Sequence, residues 1–117
     1  MKRLQSLVIL AAITACIAPA SAPAAQPAID VAASNWKFTP NVIELHAGQA
    51  TTLRLTSTQG VHGLQSDELG IPMTTIMPGK TETVTVTAKK AGKYVLHCAI
   101  MCGAGHANMT LTVNVVP

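Results

Sequence analysis

The chain has 117 residues, of which 49% are hydrophobic and only 3% aromatic, which suits one small domain with an aliphatic core. Its eight Lys and Arg residues outnumber its five Asp and Glu residues, but Lys2 and Arg3 lie in a predicted export leader. The rest of the chain has a net charge of about +1 and no basic cluster beyond Lys89-Lys90, which argues against nucleic acid as a partner.

Residues 1–24 are predicted to be a bacterial-type export signal peptide. Two basic residues precede an apolar run over residues 7–15, and small residues and prolines follow it. Cleavage is expected after Ala24. The apolar run is shorter than the roughly 20 residues that a membrane-spanning helix needs. We therefore expect no transmembrane span in the mature chain.

A second processing signal overlaps this leader. Ile13-Thr14-Ala15-Cys16 resembles the lipobox of bacterial lipoproteins, so lipidation of Cys16 is an alternative to cleavage after Ala24. Both outcomes predict an exported, periplasmic protein. Residues 25–28 are expected to form a short tether, and residues 29–117 a single folded domain.

The tether is followed by short segments in which polar and apolar residues alternate, separated by glycine-containing turns. A period of two is typical of strands with one buried face. Seven or eight strands are predicted, near residues 29–33, 42–45, 51–56, 62–65, 75–77, 81–87, 93–97 and 110–115. The side chains expected to point inward are Leu53, Leu55, Val84, Val86, Leu111, Val113 and Val115.

Short, closely spaced strands joined by turns favour an all-β, two-sheet antiparallel sandwich with Greek-key connections. With so few aromatic residues, Leu, Val, Ile and Met must fill the core. We expect Met73, Met77 and Met101 to be core residues, with a copper-relay surface as an alternative. Trp36 is expected to pack within the first strand region, with a role in accepting electrons as an alternative.

A metal-ligand pattern lies between the last two predicted strands. Cys98, Cys102, His106 and Met109 have the spacing Cys-x-x-x-Cys-x-x-x-His-x-x-Met, and His62 begins an earlier strand that can face the same loop. Two thiolates, imidazole and thioether form a soft donor set that suits copper. A structural disulfide, a mononuclear blue-copper site and a zinc site are the alternatives. His46 and His97 are expected to be solvated.

Two cysteines in this arrangement can bridge two copper ions. Each ion would then be completed by one imidazole, with weak axial donors from Met109 and from a backbone carbonyl. Such a centre shares an unpaired electron between the metals. The sequence contains no nucleophile with an adjacent base, no paired carboxylates and no phosphate-binding loop, so we expect an electron carrier rather than an enzyme.

The pattern from His62 through Met109 resembles the binuclear CuA site of cytochrome c oxidase subunit II. Further similarities are Trp36-Lys37-Phe38-Thr39-Pro40, Val61-His62-Gly63 and Met77-Pro78-Gly79-Lys80. The resemblance implies a cupredoxin fold with two coppers. Its implied ligands are His62, Cys98, the backbone carbonyl of Ile100, Cys102, His106 and Met109.

The chain departs from this family at Ile100, where a glutamate is usual. In the family, transmembrane helices usually precede the copper domain, whereas none is predicted in this chain. The resemblance implies a periplasmic respiratory electron carrier. Its donor would be a c-type cytochrome or another periplasmic protein, and its acceptor an oxidase or reductase. A periplasmic copper carrier that delivers the metal to an oxidase or exporter is the alternative, and a redox-sensing dithiol is a third hypothesis.

Overall fold

The computed structural model describes residues 11–21 and 26–117, and in this part of the chain nine β-strands form a sandwich. The strands are β1 (Ala28–Ser34), β2 (Lys37–Thr39), β3 (Val42–His46), β4 (Ala50–Ser57), β5 (His62–Ser66), β6 (Ile71–Ile76), β7 (Thr81–Thr87), β8 (Gly92–His97) and β9 (Thr110–Val116). One 3₁₀ turn, His106–Asn108, lies between β8 and β9.

The strands form two main sheets and a hairpin. One sheet has the order β2-β1-β4-β7, the other the order β3-β9-β8, and β5 pairs with β6. Most pairs are antiparallel, but β1 with β4 and β3 with β9 are parallel. The predicted all-β sandwich is confirmed, but the expectation of antiparallel pairing was wrong at these two pairs. Alternation indicates which face of a strand is buried, but it carries no information on the direction of the neighbouring strand.

Two strands differ from their predicted positions. β2 was not predicted, because its three residues are too few to show an alternating pattern. β6 was placed at residues 75–77 but spans Ile71–Ile76. Pro72 and the polar Thr74 and Thr75 obscure its period of two, and the β5-β6 register shifts between Leu64 and Ser66. The sandwich therefore has nine strands rather than seven or eight.

The buried core residues agree with the alternation of polar and apolar residues in the sequence. All seven side chains expected to point inward are buried, and they pack with Val31, Phe38, Leu45, Leu64 and Ile76. Met109 is the buried methionine of this cluster, whereas Met73, Met77 and Met101 are 50%, 41% and 78% exposed. The expectation that these three methionines fill the core was wrong, since they lie on the surface. The nine strands and the hydrophobic cluster of the described residues all lie within residues 26–117.

The predicted leader lies only partly within the described residues. Residues 11–21, which include Cys16, have irregular and exposed backbone. The basic residues Lys2 and Arg3 and the expected cleavage position after Ala24 lie outside the described residues. Among residues 11–21 and 26–117, no helix has the length and apolar character needed to cross a membrane.

Candidate metal centre

The predicted ligands meet at one end of the sandwich, where a loop joins β8 to β9. Cys98 directly follows β8 and Met109 directly precedes β9, and the Cys98 N–H donates to the Met109 carbonyl at 3.0 Å. The next residue, Ala99, donates its N–H to the Gly63 carbonyl at 2.9 Å, which ties the loop to β5. These two bonds bring the start of the loop beside His62, the first residue of β5.

His62 is fully buried, and its ring is oriented by the turn that precedes it. Its Nε2 lies 2.7 Å from the Gln59 carbonyl oxygen. Because a carbonyl can only accept a hydrogen bond, Nε2 carries a proton, and in a neutral ring Nδ1 then has the lone pair. Nδ1 lies 3.9 Å from Cys98 Sγ, so this nitrogen faces the sulfur.

The six expected donors form two groups, each built around one cysteine. In the first group, Cys98 Sγ lies 3.9 Å from His62 Nδ1 and donates to the Ile100 carbonyl oxygen at 3.2 Å. In the second group, Cys102 Sγ lies 3.5 Å from His106 Nδ1 and 3.8 Å from Met109 Sδ. The nitrogen and sulfur atoms that His62, Cys98 and Cys102 could offer to a metal all lie within 4.8 Å of one another, which joins the two groups through their sulfurs.

The two cysteines differ in their surroundings. Cys98 is buried, whereas Cys102 is partly exposed, and both are free thiols. Burial, together with the neighbouring Cys98, raises the pKa of the Cys102 thiol to about 11. A thiol with this pKa holds its proton at neutral pH, so a metal must displace that proton in order to bind.

The donor set fits copper. Two thiols, imidazole nitrogen and a buried thioether within a few ångströms are soft or borderline ligands, which favour copper over magnesium or calcium. Together, His62, Cys98, Cys102 and Met109 are consistent with a copper site. His46 and His97 are exposed and lie outside this group.

Trp36 has a position that the sequence did not predict. It lies in the turn between β1 and β2, and its indole Nε1 donates to the Cys102 carbonyl at 2.9 Å. The expectation that Trp36 packs within the first strand was therefore wrong, because its ring lies on the ligand loop. The two loop glycines, Gly103 and Gly105, are the sequence feature that indicates a close approach of this kind.

Gly63 is a second residue whose role was missed. A Cβ atom at this position would lie 2.7 Å from Ile100 Cγ1, so β5 and the ligand loop are in close contact here. Its carbonyl also accepts the hydrogen bond from Ala99. The glycine thus allows the loop segment that carries the Ile100 carbonyl to lie directly against β5.

The sequence of this chain is similar to a known family and to proteins of known name. Residues 6–113 match the family described as Cupredoxin-like domain. Two proteins named cytochrome c oxidase subunit 2, both from Thermus thermophilus, are each 34% identical to the chain over 85 residues, or 73% of its length. The matched region covers 62% of one relative and 50% of the other, so the chain spans only part of the length of these relatives.

Solved structures share the fold. The periplasmic domain of cytochrome oxidase subunit II from Bradyrhizobium japonicum gives a TM-score of 0.71 at 18% identity, covering 80% of this chain and 86% of that domain. A chain of a heme-copper terminal oxidase dimer gives 0.67 at 21% identity, covering 86% and 77%. Auracyanin A, a blue copper protein from Chloroflexus aurantiacus, gives 0.58 at 17% identity, covering 79% and 100%. At these identities the similarity establishes the all-β sandwich fold alone.

Proposed function

This chain belongs to the cupredoxin-like domain family, and from that premise we propose that it is an electron-transfer protein with a binuclear, CuA-type copper centre. The observation that carries the proposal is the arrangement of its donors in two groups, each around one cysteine, with the sulfurs within 4.8 Å of each other. A mononuclear blue-copper site uses only one thiolate. The second cysteine, with an imidazole and a thioether beside it, supplies donors for a second metal ion.

The two groups define the proposed ligand sets. His62, Cys98 and the Ile100 carbonyl would hold one ion, and Cys102, His106 and Met109 would hold the other. Bound there, copper would supply one-electron redox chemistry. The proposed count of two ions follows from the number of donors, since each set has one cysteine sulfur, one imidazole and one weaker donor.

The protein's part in this function is to hold the donors still and to keep water away. The His62 ring is oriented by the Gln59 carbonyl, and Cys98 and Met109 are joined by a backbone hydrogen bond at the ends of two strands. His62, Cys98 and Met109 are all nearly inaccessible to solvent. Donors fixed in this way move little between oxidation states, so electron transfer requires little reorganisation of the protein.

We propose that the chain acts as a carrier in a respiratory chain and has no catalytic residues of its own. Its similarity to cytochrome c oxidase subunit 2 supports an oxidase or a related reductase as the electron acceptor. A c-type cytochrome or another periplasmic electron-transfer protein would be the donor. The chain could serve as the electron-accepting part of an oxidase-type complex or as a separate protein between two complexes.

The proposed location is the periplasm. A structural relative is a periplasmic oxidase domain, and the sequence around residues 1–24 has the pattern of an export signal. Ile13-Thr14-Ala15-Cys16 offers lipidation at Cys16 as a means of membrane attachment. Mass spectrometry of the exported protein distinguishes the two forms, because a lipidated Cys16 becomes the first residue, whereas signal cleavage leaves Ala25 first.

Copper stoichiometry, visible spectra and EPR spectra of the folded domain, residues 26–117, test the proposal. We expect two coppers per chain, a purple colour and a seven-line EPR pattern from an electron shared by both ions. The sample should be reduced and reoxidised repeatedly without loss of metal. One weakly bound Cu(I) per chain and no visible band would refute electron transfer and favour the copper carrier. Cys102→Ser is the matched control and should abolish the seven-line pattern.

A further inference from the structure

We propose that Trp36 is a positioning residue for the ligand loop, because its indole N–H holds the Cys102 backbone and thereby places the Cys102 sulfur between His106 and Met109. This inference rests on the proposed function for its consequence at copper. Its structural part, the restraint on Cys102, concerns the protein alone and can be tested without metal.

The two cysteines are restrained in different ways. The backbone of Cys98 continues the β8-β9 ladder through its bond to Met109, and the following residue is bonded to β5. Within residues 26–117, the Cys102 N–H and carbonyl make no backbone hydrogen bond to a strand. The Cys102 carbonyl instead accepts the Trp36 indole N–H at 2.9 Å, across 66 positions of sequence.

The ring of Trp36 also fits closely against the two loop glycines that follow Cys102. A Cβ atom on Gly103 would lie 2.9 Å from Trp36 Nε1, and a Cβ atom on Gly105 would lie 2.7 Å from Trp36 Cβ, Cδ2 and Cε3. Gly103 has a φ of +122°, which side-chain-bearing residues rarely adopt. The loop therefore follows the surface of the indole from Cys102 to Gly105, next to His106.

This contact bears directly on the second donor group. Cys102 Sγ has His106 Nδ1 at 3.5 Å and Met109 Sδ at 3.8 Å, and all three belong to the loop or its end. Met109 is buried and directly precedes β9, so its position is fixed by that strand. Cys102 lies inside the loop and is only partly buried, and its partner Trp36 is 39% exposed. Loss of the indole N–H would free the Cys102 backbone while leaving Cys98 and His62 in place.

Trp36→Phe tests the restraint in the copper-free domain, since it keeps an aromatic ring and removes the N–H. Alkylation of Cys102 should become roughly 2- to 10-fold faster, as expected for loss of one hydrogen bond. Cys98→Ser and Cys102→Ser versions allow each thiol to be measured alone, and the rate at Cys98 should not change. Equal rates at Cys102 in the parent and Trp36→Phe proteins would overturn the proposal, as would equal acceleration at both cysteines.

The native chain provides a second test that does not depend on folding of the variant. It contains a single tryptophan, so its NMR spectrum has one indole N–H resonance. That proton should exchange with solvent several-fold more slowly than free indole, although the side chain is partly exposed, and Gly105→Ala should accelerate the exchange. Exchange at the free-indole rate in the native chain would refute the hydrogen bond.

In the copper-loaded domain, Trp36→Phe should change the hyperfine pattern of the EPR spectrum and speed copper loss to a chelator by a similar 2- to 10-fold. An unchanged spectrum and unchanged copper loss would overturn the role at the metal. If the domain forms no binuclear centre while the alkylation and exchange results hold, the proposed function fails and the restraint on Cys102 stands.

Discussion

Gly63→Ala is expected to destabilise the domain by about 1–2 kcal/mol, because the added methyl group would overlap Ile100. It would lie 2.7 Å from Ile100 Cγ1, 3.1 Å from Cδ1 and 3.2 Å from the backbone nitrogen. Such overpacking typically costs about 1–3 kcal/mol. Because one of the three contacts is with backbone, we take a cost in the upper part of this range, about 2–3 kcal/mol, from which the lower entropy of alanine in the unfolded chain offsets up to about 1 kcal/mol. For a domain of about 90 residues, the net loss corresponds to a Tm decrease of roughly 4–16 °C.

Urea unfolding of the copper-free domain, followed by Trp36 fluorescence, measures this loss. Ile100→Ala removes Cγ1 and Cδ1, the two side-chain atoms that the new methyl group would meet, so the double variant should recover part of the penalty. A favourable coupling of about 0.5–3 kcal/mol is expected in the double-mutant cycle. The reasoning would be refuted if Gly63→Ala were as stable as the parent, or if the penalty were the same in both Ile100 backgrounds.

Three further predictions concern single side chains. Met109→Leu keeps the core filled, so stability should change by less than about 1.5 kcal/mol. Loss of the thioether should raise the reduction potential, by about 59 mV for each tenfold change in the ratio of the Cu(I) affinity to the Cu(II) affinity. An unchanged potential in voltammetry would exclude Met109 as a ligand. His106→Ala should accelerate copper loss to a chelator, whereas His97→Ala, which alters an exposed histidine of β8, should not; equal effects would contradict the ligand assignment. The hydrogen bond from Arg54 lowers the pKa of Asp30, so the pair stabilises the domain above pH ~3.8 and loses this contribution as pH falls through the lowered pKa. Asp30→Asn should therefore lower the free energy of unfolding slightly at pH 7 and by less as the pH falls below ~3.8, and the same loss at pH 7 and pH 2 would rule out this charge effect.

The core and the ligand end of the fold could be predicted from local pattern. Strands β4, β7 and β9 alternate regularly over seven or eight residues, so their buried faces followed directly from the sequence. The ligand loop could also be predicted from the sequence, because four potential donors lie within twelve residues and their spacing restricts which atoms can converge. His62 could be added because it begins a strand immediately after a glycine turn.

The features that were missed depend on contacts between distant parts of the chain. β1 pairs in parallel with β4, which is not the next strand in the chain, and the alternation within a strand does not indicate the direction of its neighbour. The contact of Trp36 with Cys102 joins positions 66 residues apart, and although the loop glycines indicate a close approach, they do not identify Trp36 as the partner. Met73, Met77 and Met101 were assigned to the core by residue type alone, although the aliphatic strand residues already fill it.

The ligand loop leaves β8 and enters β9 at directly paired positions of these two strands. His97 pairs with Thr110, and the next step of the ladder is the hydrogen bond from Cys98 to the Met109 carbonyl, so residues 99–108 form a closed excursion between the ends of β8 and β9. Because the ladder closes at the base of this excursion, we expect changes of length or sequence inside it to leave the register of β8 and β9 unaltered. Loop exchange should therefore be able to replace the donors of the excursion while β8 and β9 keep their pairing, provided that the contact of Ala99 with Gly63 is retained.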